Sequence, residues 1–384
     1  MNIPFNKPPL IQDSSGMLLD SLNSGNVSGR GPFTLKAEEW LELNNPQISK
    51  ALLTTSCTHA LEASAILLNL KPDDEVIVPS YTFVTSALAF YMHGAKIRFC
   101  DIRKDTLNID ETLIESHINK KTKAIVVVHY AGVSCEMDMI MNLAKKYKIK
   151  VIEDNAHGLF GKYKGMNLGS IGDLSTHSFH ETKNISCGEG GALFINNKDY
   201  LERAEMILEK GTNRAMFING QVDKYTWVDK GSSYVMSDIL AALLYSQLNS
   251  HKKIQAKRKE LWLNYLNQLS RWAKDNGVQL PHIPDHCEQT FHMFYMIMPS
   301  KILRDRFIKY MNSKKISTAF HYLPLHSSKK GMEISLPDQE NCPVSQRISD
   351  QIIRLPLFFD LKQDDQAAVI NAITNWNAIT NRNV

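Results

Sequence analysis

Between residues 50 and 200, short β-branched runs alternate with amphipathic stretches, and this alternation restricts the chain more than any other feature. The runs are E-V-I-V-P from 75, K-I-R-F-C-D-I from 96, K-A-I-V-V-V-H-Y from 123 and K-V-I-E-D from 150. Between them, T-H-A-L-E-A-S-A-I-L-L-N-L and M-D-M-I-M-N-L-A-K-K-Y repeat apolar residues at helical spacing. Strands separated by helices pair in parallel, and a parallel sheet needs cover on both faces. The expected class is α/β, with a mostly parallel central sheet and a smaller C-terminal α+β domain. From 237, S-D-I-L-A-A-L-L-Y-S-Q-L predicts one extended helix to about 270 that leads out of the first domain. H-M-F-Y-M-I-M at 292 and helical patterns near 301–313 and 363–377 supply the second. The expected division is 1–250 for the large domain and 251–384 for the smaller one. A chain of 384 residues with 43% hydrophobic content is long enough to build both cores.

Charge and cysteines remove several functions. Lys plus Arg at 44 against Asp plus Glu at 40 gives +4, too mild and evenly spread for a nucleic-acid surface. Cys57, Cys100, Cys135, Cys187, Cys287 and Cys342 show no C-x-x-C pair and no zinc spacing, so reduced thiols in a cytoplasmic protein without a bound metal are expected. The start, M-N-I-P-F-N-K-P-P, has no basic end before an apolar stretch, and no window approaches the roughly 20 apolar residues of a membrane span.

In an open α/β sheet, ligands bind beyond the carboxyl ends of the strands, and four predicted ends carry chemistry. T-T-S-C-T-H-A-L places small and hydroxylated residues at a helix start, where Ser56 can cap the helix and free N–H groups can hold an anion. P-S-Y-T-F-V offers Tyr81 and Phe83, either as core rings or as a stacking partner for a planar ligand. V-I-E-D-N-A-H sets Glu153 and Asp154 at the end of an apolar strand with His157 beyond it, as loop acids or as the counter-ion of a heteroaromatic N–H⁺. Lys183 lies between L-S-T-H-S-F and G-E-G-G-A-L-F-I, either as a surface lysine or as a desolvated amine able to attack an aldehyde. An anion cradle, a carboxylate, a ring and an imine-forming amine are together what pyridoxal 5′-phosphate requires.

Over almost its whole length the sequence resembles the sugar aminotransferases of the DegT/DnrJ/EryC1 family, on the aspartate-aminotransferase fold (PLP fold type I). The motifs are S-C-T-H-A-L, P-S-Y-T-F-V, V-V-H-Y-A-G-V, V-I-E-D-N-A-H, S-F-H-E-T-K-N with G-E-G-G-A, and F-H-Y-L-P-L-H. The resemblance implies pyridoxal 5′-phosphate as cofactor, with Lys183 as the Schiff-base lysine, Asp154 beneath the pyridine nitrogen and Phe83 as the stacking ring. His157 would lie near the ring hydroxyl, and Ser178, Cys57 and Thr58 would hold the phosphate. Three positions depart from the family. G-S-S-Y-V-M-S-D puts Ser233 where an Asn usually reaches the partner subunit's phosphate and Val235 where an arginine stands, and Glu181 replaces a proline.

H-E-T-K-N, E-K-G-T-N-R, G-Q-V-D-K-Y-T-W and G-S-S-Y resemble the branch of that family acting on dTDP-4-dehydro-6-deoxy-D-glucose with L-glutamate as donor, for a polysaccharide of the enterobacterial common antigen type. Lys210, Arg214 and Lys224 are candidates for the nucleotide diphosphate, and His321, Tyr322 and His326 for the sugar site, each with a structural role as its rival. The family implies a homodimer that shares its active sites. Three other readings stand beside this one. A PLP-dependent sugar dehydratase would carry histidine in place of Lys183, and a Rossmann oxidoreductase would need a G-x-G-x-x-G that is missing. A non-catalytic sugar or PLP sensor is disfavoured by the intact lysine, aspartate and ring.

Overall fold

In the computed structural model, which describes residues 2–9, 11 and 13–376, seven strands form one sheet. They are Lys50–Thr54 (β1), Glu75–Pro79 (β2), Lys96–Cys100 (β3), Thr122–Val128 (β4), Lys150–Asp154 (β5), Leu174–Ser178 (β6) and Gly191–Ile195 (β7), in the order β1-β7-β6-β5-β4-β2-β3. β2 to β6 pair in parallel, and β7 runs antiparallel to both β6 and β1.

Side chains alternate across each strand, and both faces are buried. Leu52, Val76, Val78, Ala124, Val126 and Ile152 pack on one side against the helices Cys57–Leu67, Thr85–Met92 and Leu201–Leu208. The intervening Ile77, Ile125, Val127 and Val151 face the helices Glu111–His117 and Met137–Tyr147. Ala51, Leu53, Ala192 and Phe194 face Pro32–Asn44 and Asp238–Asn249. This is why the strands read as continuous apolar runs instead of alternating patterns.

A second core gathers Trp262, Tyr265, Phe294, Phe307, Ile353 and Trp376. It lies between the helices His251–Asn276, Lys301–Ser313 and Gln363–Thr374 and the antiparallel pair Phe294–Ile297 (β8) and Ile352–Leu355 (β9). Ile3 belongs to this core: its N–H donates to Lys315 O and its carbonyl accepts from Ser317 N–H, both at 3.0 Å.

The expected single helix from 237 to about 270 is two helices, Asp238–Asn249 and His251–Asn276. The break is at Ser250, which ends one helix and starts the next, while His251 Nδ1 bonds Leu248 O at 2.8 Å. Asn-Ser-His is a run of weak helix formers whose side chains compete for backbone groups, and the apolar periodicity on either side hides it. The second helix ends at Gly277 with φ +66°, the left-handed cap that glycine adopts without strain. Residue 377, the last of the expected C-terminal helix, lies outside the described residues. Among the described residues no helix is long and apolar enough to cross a membrane.

Candidate active site

Beyond the carboxyl ends of β1, β4, β5 and β6, the two cores enclose a cavity of about 730 Å³. Cys57, Thr58, Phe83, Asp154, His157, Ser178 and Lys183 all line it, as do His321 and Tyr322 from the segment between Lys301–Ser313 and β9.

Strand alternation separates the two adjacent acids. Asp154 shares the face of Ile152 and reaches the cavity, where its Oδ2 accepts from Ser86 Oγ at 2.6 Å and its Oδ1 from Ala156 N–H at 3.2 Å. Burial raises its pKa, opposed by these bonds and by the Lys183 charge. Glu153 points the other way and accepts from the N–H groups of Gly169, Ile171 and Gly172 at 2.8, 2.7 and 2.6 Å, and from His129 Nε2 at 2.9 Å. Burial pushes its carboxyl up, but the His129 bond and the backbone donors more than offset this and hold it low. His129 Nδ1 accepts from Cys135 N–H at 3.2 Å, which leaves the ring proton on Nε2. Glu153 therefore fixes the 169–172 loop under the site, and Asp154 is the acid exposed to a ligand.

Lys183 rides on the turn between β6 and β7. The turn is closed by Phe179 N–H to Gly190 O and Glu181 N–H to Gly188 O, both 2.8 Å, and by Lys183 N–H to His180 O at 2.9 Å. The neighbouring Asn184 is clamped, donating to Thr290 O at 2.7 Å and to Gln255 Oε1 at 3.0 Å, with His292 Nδ1 3.0 Å from its Oδ1. These bonds aim the lysine into the cavity. Burial lowers its pKa to about 8, with Cys57 and Asp154 opposing.

That shift has a definite sign for stability. Between about pH 8 and the ordinary lysine value of 10.5, the unfolded chain holds more protons at this position, so stability rises with pH through that window. Below it, the cost of the buried charge is fully present. Cofactor-free Lys183→Met is thus expected to melt above cofactor-free wild type at pH 7.5, with the gap closing by pH 10. Parallel melting curves would check this, and a pH-independent gap would contradict it.

The helix start at Cys57–Thr58 keeps first-turn N–H groups without intrahelical acceptors. The Ser56 hydroxyl is committed to capping, accepting from His59 N–H at 3.1 Å. Gly191 explains part of G-E-G-G: a Cβ there would overlap the carbonyl carbon of Ser56 and the amide nitrogen of Cys57, so only glycine lets β7 pass under the helix start. Phe83 is 54% exposed, as a ring facing a cavity must be, whereas Tyr81 is buried with its hydroxyl on His321 O at 2.7 Å. Of the two candidate rings, only Phe83 is available to a ligand. His157 stacks on His292, centroids 4.5 Å apart, and its buried Nδ1 has no hydrogen-bond partner.

Several other candidates lie away from this cavity. Lys210 and Lys224 are exposed elsewhere, Arg214 pairs with Glu209 at 3.2 Å, and Ser233 is exposed beside Glu209. His326 holds Ser80 Oγ at 2.6 Å behind the wall. His321 and Tyr322 stack at 3.6 Å, with His321 Nδ1 2.7 Å from the Tyr130 hydroxyl. Tyr322 takes φ +41°, a strained value that turns its ring towards the cavity. Ser86, His292 and Arg354 belong to the site and were not foreseen. The lone arginine inside I-I-R-L-P-L, polar in an otherwise apolar strand, was the available signal for Arg354.

The lining suits a flat, anionic heteroaromatic ligand. A buried imidazole nitrogen lacks a partner, a buried carboxylate has its pKa raised by desolvation, a ring stands open, and an amine of depressed pKa faces them. At the carboxyl ends of a parallel sheet, this defines a pyridoxal 5′-phosphate-dependent enzyme. Residues 10–374 match the family model of the DegT/DnrJ/EryC1/StrS aminotransferases, and the chain belongs to that family: it is a PLP-dependent sugar aminotransferase.

The chain is 33% identical over 376 residues to an uncharacterised protein of Methanocaldococcus jannaschii, covering 96% of each. It is 30% identical over 387 residues to the UDP-4-amino-4-deoxy-L-arabinose–oxoglutarate aminotransferase of Shewanella sediminis, covering 97% of each. Among solved structures, the putative sugar aminotransferase Spr1654 of Streptococcus pneumoniae in its PMP form superposes with a TM-score of 0.89 at 26% identity, over 97% of this chain and 98% of that one. The fold is that of the PLP fold type I aminotransferases.

Proposed function

We propose that the enzyme moves the amino group of L-glutamate to C4 of dTDP-4-dehydro-6-deoxy-D-glucose. The products are dTDP-4-amino-4,6-dideoxy-D-galactose and 2-oxoglutarate, made in the cytoplasm for a cell-surface polysaccharide of the enterobacterial common antigen type. The observation that carries the chemistry is Lys183, a clamped amine with a pKa near 8 facing Asp154 across one cavity. The choice of sugar rests on the resemblance of H-E-T-K-N, E-K-G-T-N-R, G-Q-V-D-K-Y-T-W and G-S-S-Y to dTDP-4-amino-4,6-dideoxygalactose transaminase.

Bound pyridoxal 5′-phosphate supplies an aldehyde for an amine and a conjugated ring that accepts an electron pair. In this reading the first-turn N–H groups at Cys57 and Thr58, with Ser178, would hold its phosphate, and Phe83 would stack on its ring. His157 presents the unpartnered Nδ1 to the ring substituents. Asp154 would keep the ring nitrogen protonated, since burial strengthens an ion pair between them. Lys183 would hold the group through its aldehyde and, as the free amine, would take the proton from the donor α-carbon. With the keto sugar in place it returns a proton to the sugar C4. One lysine serves both directions in turn, so ping-pong kinetics follow.

The large domain 1–250 would supply the cofactor side and 251–384 the cover. Lys210, Arg214, Lys224 and Ser233, which lie outside the cavity of their own chain, would serve the second site of a homodimer. Incubation with glutamate and the dTDP-keto sugar should yield 2-oxoglutarate and an aminated sugar with the new amine axial, read from proton couplings by NMR. An equatorial amine would reassign the enzyme to the gluco epimer, and no amination would redirect it to another keto sugar.

A further inference from the structure

The first residues of the chain cross the mouth of the cavity. Ile3 is bonded to Lys315 and Ser317 in the second core, Asn6 Nδ2 donates to Glu181 O on the Lys183 turn at 3.2 Å, and Pro9 O accepts from Gln247 at 2.9 Å. Between these anchors Phe5 lines the cavity, and its ring centroid lies 4.7 Å from the guanidinium carbon of Arg354. Arg354 is held in β9 by backbone bonds to Ala319 at 2.7 and 3.2 Å, and it also lines the cavity. The alternate residue Ile353 is buried in the second core.

Arg98, Arg103, Arg203 and Arg214 each hold a carboxylate. Arg354 has no carboxylate partner among the described residues. It donates to Phe320 O through Nη2 at 3.3 Å, and its buried Nε has no acceptor. Around it stand Tyr130, Tyr322 and Tyr81, phenols that stay neutral, and burial lowers its pKa. A guanidinium removed from water without a counter-ion is costly, and an anionic ligand removes that cost.

We propose that Phe5 is a positioning residue for donor binding: its ring holds the Arg354 guanidinium flat, and Arg354 takes a carboxylate of the amino donor. The inference rests on the reading of an amino-acid donor given above. A single planar cation matches a carboxylate of one charge, in bidentate geometry. A sugar-nucleotide diphosphate carries more charge and calls for several cations.

The test uses the holoenzyme and glutarate, a dicarboxylate without an amine. Its dissociation constant is measured by calorimetry, alongside KM for glutamate and for the keto sugar. Arg354→Met should weaken glutarate and raise the glutamate KM by about 30-fold or more. Phe5→Leu should do so by about 3- to 10-fold while leaving kcat and the sugar KM unchanged. The double variant should be no worse than Arg354→Met alone, since Phe5 acts through the arginine. Arg354→Lys, which keeps the charge but not the plane, should fall between and lose its dependence on Phe5. Additive effects, an unaffected Phe5→Leu, or a loss confined to the sugar KM would overturn the proposal. Glutarate binding and the glutamate half-reaction are read without any sugar, so an error in the proposed sugar leaves this test intact.

Discussion

Lys183→Ala is expected to lose turnover by about 10⁴-fold or more, and to lose the visible absorbance of covalently attached cofactor at the same time. Two functions depend on this one amine: the bond to the cofactor aldehyde and the movement of a proton at the reacting carbon. Removing a nucleophile that is also the acid–base group costs more than removing either alone. The turn holding it is bonded through backbone groups and through Asn184, none of which the substitution touches, so the fold should survive. Lys183→Arg separates charge from nucleophilicity, because a guanidinium stays protonated and cannot attack. It should be as inactive as alanine. Partial recovery of Lys183→Ala by a small exogenous amine would place the missing group at the reacting atoms. A variant that kept full turnover would remove Lys183 from the chemistry.

The features of this fold that were legible before the structure are those governed by local periodicity. β2 to β5 coincide with the four β-branched runs, because a strand buried on both faces must be apolar throughout and its helices must be amphipathic. The position of the cavity at their carboxyl ends follows from topology, and Lys183, Asp154, Phe83 and His157 line it. What was not legible depends on side-chain geometry or on contacts between distant segments. The hydroxyl of Ser86 serves Asp154 of β5 from the helix Thr85–Met92, His292 packs on His157 across 135 residues of sequence, and Phe5 meets Arg354 from the opposite end of the chain. No spacing rule encodes such pairs. Tyr81 and Phe83 illustrate the same limit on a smaller scale: two residues apart, one is closed inside a tyrosine–histidine cluster and the other faces the cavity. The break at Ser250 failed for another reason, since apolar periodicity runs through it while backbone competition by polar side chains stops the helix.

Asp154→Asn should lower kcat by about 10²- to 10³-fold while making the cofactor-free protein more stable at neutral pH. The two effects have one cause. Burial holds the Asp154 carboxyl above its ordinary value, so from that ordinary value up to the raised one the folded protein binds more protons than the unfolded chain. Stability therefore falls as pH climbs through that window, and above it the cost of burying the charge is fully present. An amide carries no such cost and can still accept the Ser86 hydroxyl, which lies 2.6 Å from the carboxylate. What it cannot do is balance a protonated ring nitrogen, and without that cation the ring accepts electrons poorly. Added cofactor should accordingly raise the melting temperature of Asp154→Asn less than that of wild type, reversing the order of stability between the two. Asp154→Glu keeps the charge but displaces it by a methylene, and should retain more activity than the amide. Thermal melts with and without cofactor, paired with kcat, decide the matter: undiminished turnover in Asp154→Asn would dismiss the counter-ion role, and a cofactor-free variant less stable than wild type would show that the carboxylate is not strained by its burial.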